Sequence, residues 1–216
     1  MKDLGMNSAI AAAAIGLLMV VASTGDATAC SRSVSANAVN TVVPAKSIDQ
    51  RMLDRAIRTE VNFHRCRAGL GALKSAGNEL VYEAKRHSTW MAKTQQLTHR
   101  STVAGAATLK QRVKRSGIKF RMGSENIGMV HRYQIDNQRF KIVNSNACQF
   151  TTHKGQPLPA HSYASLARHV VNLWMNSPGH RKNILDTRVT RTSSAVAFDP
   201  KAQYCGRFWL TQNFVG

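Results

Sequence analysis

Two places in the chain combine residue type and position in a way that could do chemistry: the segment Ser177-Pro178-Gly179-His180-Arg181 and the isolated acid Glu125. Serine followed by proline is an N-cap with proline at the first helical position, a strong local helix start. His180 then falls in the first turn, where the positive end of the helix dipole disfavours an imidazolium. A neutral imidazole near pH 7 can ligate a metal, accept a proton or bond locally to fix the turn. Glu125 lies between Gly123-Ser124 and Asn126-Ile127 in a segment that reads as a strand. A carboxylate among apolar neighbours needs a partner. Two are available: a histidine pair holding a metal, or an arginine in a structural ion pair. His87 shares an apolar helix face with Leu80, Ala84 and Met91 and reads as a core histidine. His131, His153 and His161 match no metal-ligand spacing. The chain has no H-E-x-x-H, G-x-S-x-G or C-x-x-C motif and no phosphate-cradling glycine loop.

The elements that must position these residues can be read from periodicity. Ser47 with Gln50 resembles a capping box opening a helix on which Leu53, Ile57 and Val61 recur every four residues, ending near Gly69. A second helix is predicted from Asn78 and a third around 105–116, stopped by Gly117. Residues 120–130 fit a strand. Residues 131–160 are polar and Asn-rich, and so long an irregular stretch points to a concealed hairpin or a functional lid. Leu166, Val170 and Trp174 mark a helix over 161–176. Residues 193–198 and 205–214 flank Asp199-Pro200 as an antiparallel hairpin. Helices first and strands mostly last, with no βαβ alternation, predict an α+β fold.

Residues 8–24 are apolar, follow Lys2 and precede Ala27-Thr28-Ala29, so 1–29 is predicted to be a cleaved secretory signal peptide, leaving no transmembrane span. Residues 30–47 read as a linker or N-terminal arm, and 48–216 as one domain with an insertion at about 131–160. Cys30 directly after the cut offers a second reading, a lipoprotein acylated there. Four cysteines in an exported chain (Cys30, Cys66, Cys148, Cys205) allow two disulfides in three connectivities. Cys30–Cys66 with Cys148–Cys205 is preferred, because the late pair would tie a long loop to the last strand; Cys66 as a buried small hydrophobe is the alternative.

The 216 residues carry 30 Lys and Arg against 11 Asp and Glu, a net charge of +19. That charge points to anionic partners and says nothing of fold. Hydrophobic residues at 43% exclude a disordered chain, and aromatics at 6% argue against an RNA-binding sheet of stacked rings. The densest cationic run, Lys110, Arg112, Lys114, Arg115, Lys119 and Arg121, is the predicted anionic-contact patch.

An ordered set of motifs spans about residues 48–216: Asn62, Arg65, Gly69-Leu70 and Leu73; Leu80, Ala84, His87 and Met91; His99-Arg100; Glu125-Asn126-Ile127; Trp174-Met175 leading into Ser177-Pro178-Gly179-His180-Arg181 and Asn183-Ile184-Leu185; Trp209 and Thr211-Gln212-Asn213-Phe214. The set resembles the bacterial branch of the CAP superfamily, named for cysteine-rich secretory proteins, antigen five and pathogenesis-related proteins. The resemblance implies an α-β-α sandwich, an antiparallel sheet flanked by helices, and secretion. It also implies a cleft of two histidines and two glutamates that binds divalent metals in some members. By motif these fall on His99, Glu125 and His180, with Ser177 in place of the second glutamate, as is common in bacterial relatives. At most His99, Glu125 and His180 remain as ligands for zinc or another divalent cation, an open site with room for water.

These readings favour a secreted or periplasmic binding module for an anionic envelope partner, lipid or wall polymer, rather than for specific nucleic acid. The alternative is a metal-assisted hydrolase in which His99 and His180 hold the metal, Glu125 orients or deprotonates water and Ser177 donates a hydrogen bond.

Overall fold

The computed structural model describes residues 30–216, and the signal peptide predicted over 1–29 lies outside the described residues. The elements run α1 (Ala36–Asn40), α2 (Gln50–Arg67), β1 (Lys74–Ser75), α3 (Asn78–Thr94), α4 (Leu109–Arg115), β2 (Gly123–His131), β3 (Phe140–Asn144), β4 (Gln149–Thr152), α5 (Tyr163–Asn176), α6 (Pro178–Ile184), β5 (Arg191–Asp199) and β6 (Arg207–Val215). One four-stranded sheet has the order β1-β5-β6-β2, so β2 carries an outer edge. The pairs β5–β6 and β2–β6 are antiparallel, as expected; the two-residue β1 adds a parallel pair with β5, Lys74 opposite Arg191.

Alternation along the strands divides the core into two layers. Phe208, Leu210 and Phe214 of β6, Val196 of β5 and Val130 of β2 pack with α2, α5 and α6. Trp209, Val215, Ala195 and Ile127 point the other way, toward α3 and α4. This is the α-β-α sandwich. Among the described residues no helix is long and apolar enough to cross a membrane.

Local chemistry sets the helix starts. Asp49, not Ser47, caps α2: its carboxylate accepts from the backbone N–H of Arg51 and Met52, while Ser47 takes a left-handed conformation (φ 55°) that removes it from the predicted box. A full capping box does open α4, between Thr108 and Gln111. Gly117, at φ 71°, follows the end of α4 as predicted.

The arm over 30–47 is no loose linker. It forms α1, buries Ala38 and Val43 in the main core, and is bonded through Cys30 to Cys66 on α2. That disulfide leaves Cys30 without a thiol for acylation, so the lipoprotein reading does not stand on this structure. Cys148 pairs with Cys205, as preferred. The unassigned stretch 131–160 holds the hairpin β3–β4, with a small core of Ile135, Phe150 and Leu158 beside the disulfide.

Candidate functional site

Glu125 and Asn126 are adjacent on β2 and therefore face opposite layers, Glu125 toward α3 and α4, Asn126 toward α6. Both are buried. On the first side, one Glu125 oxygen accepts from Arg112 Nη2 at 2.6 Å and the other lies 2.9 Å from His99 Nδ1. Arg112 is 1% exposed and comes from α4; it also donates to the carbonyls of Ala106 and His99. His87, from α3, stands 3.9 Å from the same carboxylate, and its Nε2 bonds the Thr98 carbonyl at 3.0 Å. Burial is the main cause that holds its pKa at about 4, so it is neutral near pH 7. The His99 ring, by contrast, is largely open to solvent.

On the second side, Asn183 of α6 donates to the Glu125 carbonyl at 3.2 Å and to Asn126 Oδ1 at 2.9 Å, while Asn126 Nδ2 approaches the His180 carbonyl at 3.4 Å. Trp174 Nε1 of α5 donates to the Ile127 carbonyl at 3.0 Å. Its close approach needs Gly128, where an added Cβ would stand 3.2 Å from that nitrogen. Side chains from α5 and α6 thus occupy the outer edge of β2, which no strand covers among the described residues. Arg65 of α2 fixes α6 by donating to the carbonyls of Ile184 and Asp186, each at 2.8 Å.

His180 is half-buried at the start of α6. Burial, and then the nearby charge of His99, lower its pKa. His99, from the loop after α3, and His180, from α6, thus meet the adjacent residues Glu125 and Asn126 from opposite layers, His99 through its ring and His180 through its backbone carbonyl. Ser177 joins α5 to α6 at the N-cap position, and its side chain makes no capping bond.

The carboxylate does not fit the expected metal role. Both Glu125 oxygens are engaged, one of them by a buried guanidinium whose charge opposes a cation beside it. Among the described residues no group of three His, Cys, Asp or Glu is arranged to hold a metal ion. Both kinds of partner expected for Glu125 are present, the buried Arg112 on one oxygen and His99 on the other.

Arg112 corrects the predicted patch: it turns inward, while Lys110, Lys114, Arg115, Lys119 and Arg121 are exposed. Leu109, Arg112 and Val113 are spaced i, i+3 and i+4, which puts the arginine on the apolar face of its helix. That spacing was the signal available in the sequence. His87 also belongs to the network, although the core reading of its apolar face is correct: it is 2% exposed.

A profile of the CAP family (cysteine-rich secretory protein family) matches residues 59–214. The chain belongs to the CAP family. Among solved structures, an outer surface protein from Borrelia burgdorferi is similar at 16% identity and TM-score 0.52, over 80% of this chain and 98% of that one. An extracellular protein containing an SCP domain from Bacillus anthracis shares 22% identity with TM-score 0.48, over 77% of this chain and 41% of that one. A cysteine-rich secretory protein from Staphylococcus aureus shares 15% identity with TM-score 0.45, over 80% of this chain and 40% of that one. The chain thus spans about two fifths of the length of the last two. The Borrelia likeness supports the fold of this CAP domain. No curated protein matches the sequence significantly.

Proposed function

We propose that this CAP-family chain is an exported binding module for an anionic envelope partner, lipid or wall polymer, engaged at the His99–His180 edge of β2 and the cationic face beside it. The observation that carries the reading is the division of labour on α4. Arg112 points inward and neutralises Glu125, the acid of the site, while Lys110, Lys114 and Arg115 of the same helix stay outside. That edge then offers imidazoles and outward cations with no uncompensated carboxylate to repel an anion. Two disulfides using all four cysteines fit export to an oxidising compartment.

The test is sedimentation of the disulfide-bonded protein with phosphatidylglycerol vesicles, phosphatidylcholine vesicles and an insoluble anionic wall polymer. Retention is expected on the anionic lipid or the polymer, with a fall of at least about tenfold between low salt and about 0.15 M salt. Replacing Lys110, Lys114, Lys119 and Arg121 together by Glu is expected to abolish it. Equal retention on the neutral vesicles, or indifference to salt, defeats the reading.

A further inference from the structure

The β3–β4 hairpin has a surface that the sandwich does not use. Its strands form a sheet only with each other, and the Cys148–Cys205 bond fixes its turn to the connection between β5 and β6. The chain returns along β4, where Leu158 N–H donates to the Phe150 carbonyl and Thr152 N–H to the Gln156 carbonyl. The outer edge of β3 is therefore the open one among the described residues. Open edges are commonly blunted with charge. This one carries Lys141, yet the two residues after it are aliphatic. Six large hydrophobic side chains are exposed among the described residues, and Ile142 and Val143 are the only two adjacent in the sequence, 52% and 61% open. Ile142 lies opposite Phe150 at the rim of the hairpin core. Val143 has no partner on β4, because the register slips between Ile142 and Asn144. Such a bulge bends the strand and re-aims a side chain.

The surroundings are cationic. From 137 to 185 the sequence has no Asp or Glu. Arg139, Lys141 and Lys154 of the hairpin are exposed, as is Lys201 in the connection that Cys205 closes. The acids on either side are engaged: Asp136 faces His131 and His169, and Asp199 accepts from Gln95 and from the Lys201 backbone N–H. Aliphatic side chains that leave water, next to cations whose long stems keep their heads in it, match the boundary between acyl chains and anionic headgroups. A hydrated wall polymer offers no apolar phase to receive Ile142 and Val143. A second copy would set Arg139 and Lys141 against the same charges in a chain of net charge +19.

We propose that the end of this hairpin enters the headgroup region of an anionic bilayer, with Ile142 and Val143 at the acyl boundary and Arg139, Lys141 and Lys154 against lipid phosphates. The inference rests on the reading of an anionic envelope partner and commits that partner to lipid. The hairpin follows the His131 end of β2, whereas α4 packs at the Gly123 end. The α4 cations then attract the protein from a distance, and the hairpin adds a short-range hold that salt does not screen, too small to retain the protein by itself.

Sedimentation of the disulfide-bonded protein with phosphatidylglycerol vesicles, and separately with the insoluble anionic wall polymer, compares the parent chain with the double variant Ile142→Ser, Val143→Ser. The variant is expected to lose about tenfold in vesicle affinity and nothing on the polymer. Val143→Trp, with phosphatidylglycerol brominated on its acyl chains, is expected to show quenching beyond that of the parent, whose Trp174 and Trp209 are buried. If the parent binds these vesicles in a salt-dependent way but the double variant binds equally, loses as much on the polymer, or the added tryptophan is not quenched, insertion is overturned and the electrostatic reading stands. Salt-indifferent retention of the parent, or none on the vesicles, overturns the proposal at its base. A dimer of the parent that the double variant abolishes assigns the surface to a second copy and overturns it too.

Discussion

Arg112 and Glu125 are each nearly sealed from water, and each charge is tolerable only while the other faces it. Removing one partner strands a buried ion, which costs about 3–5 kcal/mol, whereas replacing both with uncharged groups of similar shape costs far less. Arg112→Met and Glu125→Gln are therefore expected each to lower unfolding stability by that amount in urea titration. The double variant should recover most of the loss; additive losses would mean that the pair is not a unit. Burial also lowers the pKa of His161 to about 4 from an ordinary 6.5, with the neighbouring His169 adding to the effect and Asp136 opposing it. The unfolded chain then binds more protons than the folded one between those values, so His161 favours folding above pH 6.5 and this contribution is lost as pH falls toward 4. Stability is expected to drop by about 1 kcal/mol per pH unit per such histidine across that window, and His161→Phe should flatten the slope. His180, Ser177 and the apolar placement of His87 were legible because capping rules and helical spacing are local. Which arginine meets Glu125 was not. An arginine in a basic run reads as surface unless its helix face is counted, and which cation turns inward is settled by where α4 lies on the sheet.

At the level of elements, legibility followed burial. The strands β5 and β6 and the helices α2, α3 and α5 bury one stripe or both faces against the sheet, so their periodicity shows. The β3–β4 hairpin buries little: every residue of β3 after Phe140 is exposed, and Phe150 is the buried residue of β4. Its order comes instead from the Cys148–Cys205 bond, from Tyr204 against Phe140 at 5.2 Å between ring centroids, and from His131 bonded to Asp136. None of these has a sequence period. The packing of the arm over 30–47 has no period either, since Ala38 and Val43 are its two buried residues, although the Cys30–Cys66 bond that also holds it is the pairing preferred from the sequence. The hairpin core is separate from the sandwich core, so the insertion should behave as its own cooperative unit. Replacing Cys148 and Cys205 by Ala is expected to abolish amide-exchange protection at 140–152 while leaving β5 and β6 protected. Loss of protection throughout the sheet would show instead that the insertion is integral to the sandwich.

For the whole molecule, charge acts on folding and on binding in opposite directions. With 1–29 removed the chain loses one Lys and two Asp and its net charge rises from +19 to +20. Much of that charge is on exposed side chains, among them Lys110, Lys114, Lys119 and Arg121. Self-repulsion at this charge opposes the compact state, and salt relieves it, because surface charges more than about 10 Å apart are screened at about 0.1 M ionic strength. Raising sodium chloride from low to about 0.5 M is therefore expected to raise the midpoint of thermal unfolding by a few degrees, about 1 kcal/mol for a domain of this size. The same salt should release the protein from anionic vesicles, because that attraction is screened by the same ions. The two responses share a cause and must reverse together: with Lys110, Lys114, Lys119 and Arg121 changed to Glu, salt should stabilise less and vesicle binding should already be absent. A thermal midpoint that fell with salt would mean that native ion pairs outweigh repulsion among the cations, and the case for a surface evolved to meet an anion would fail with it.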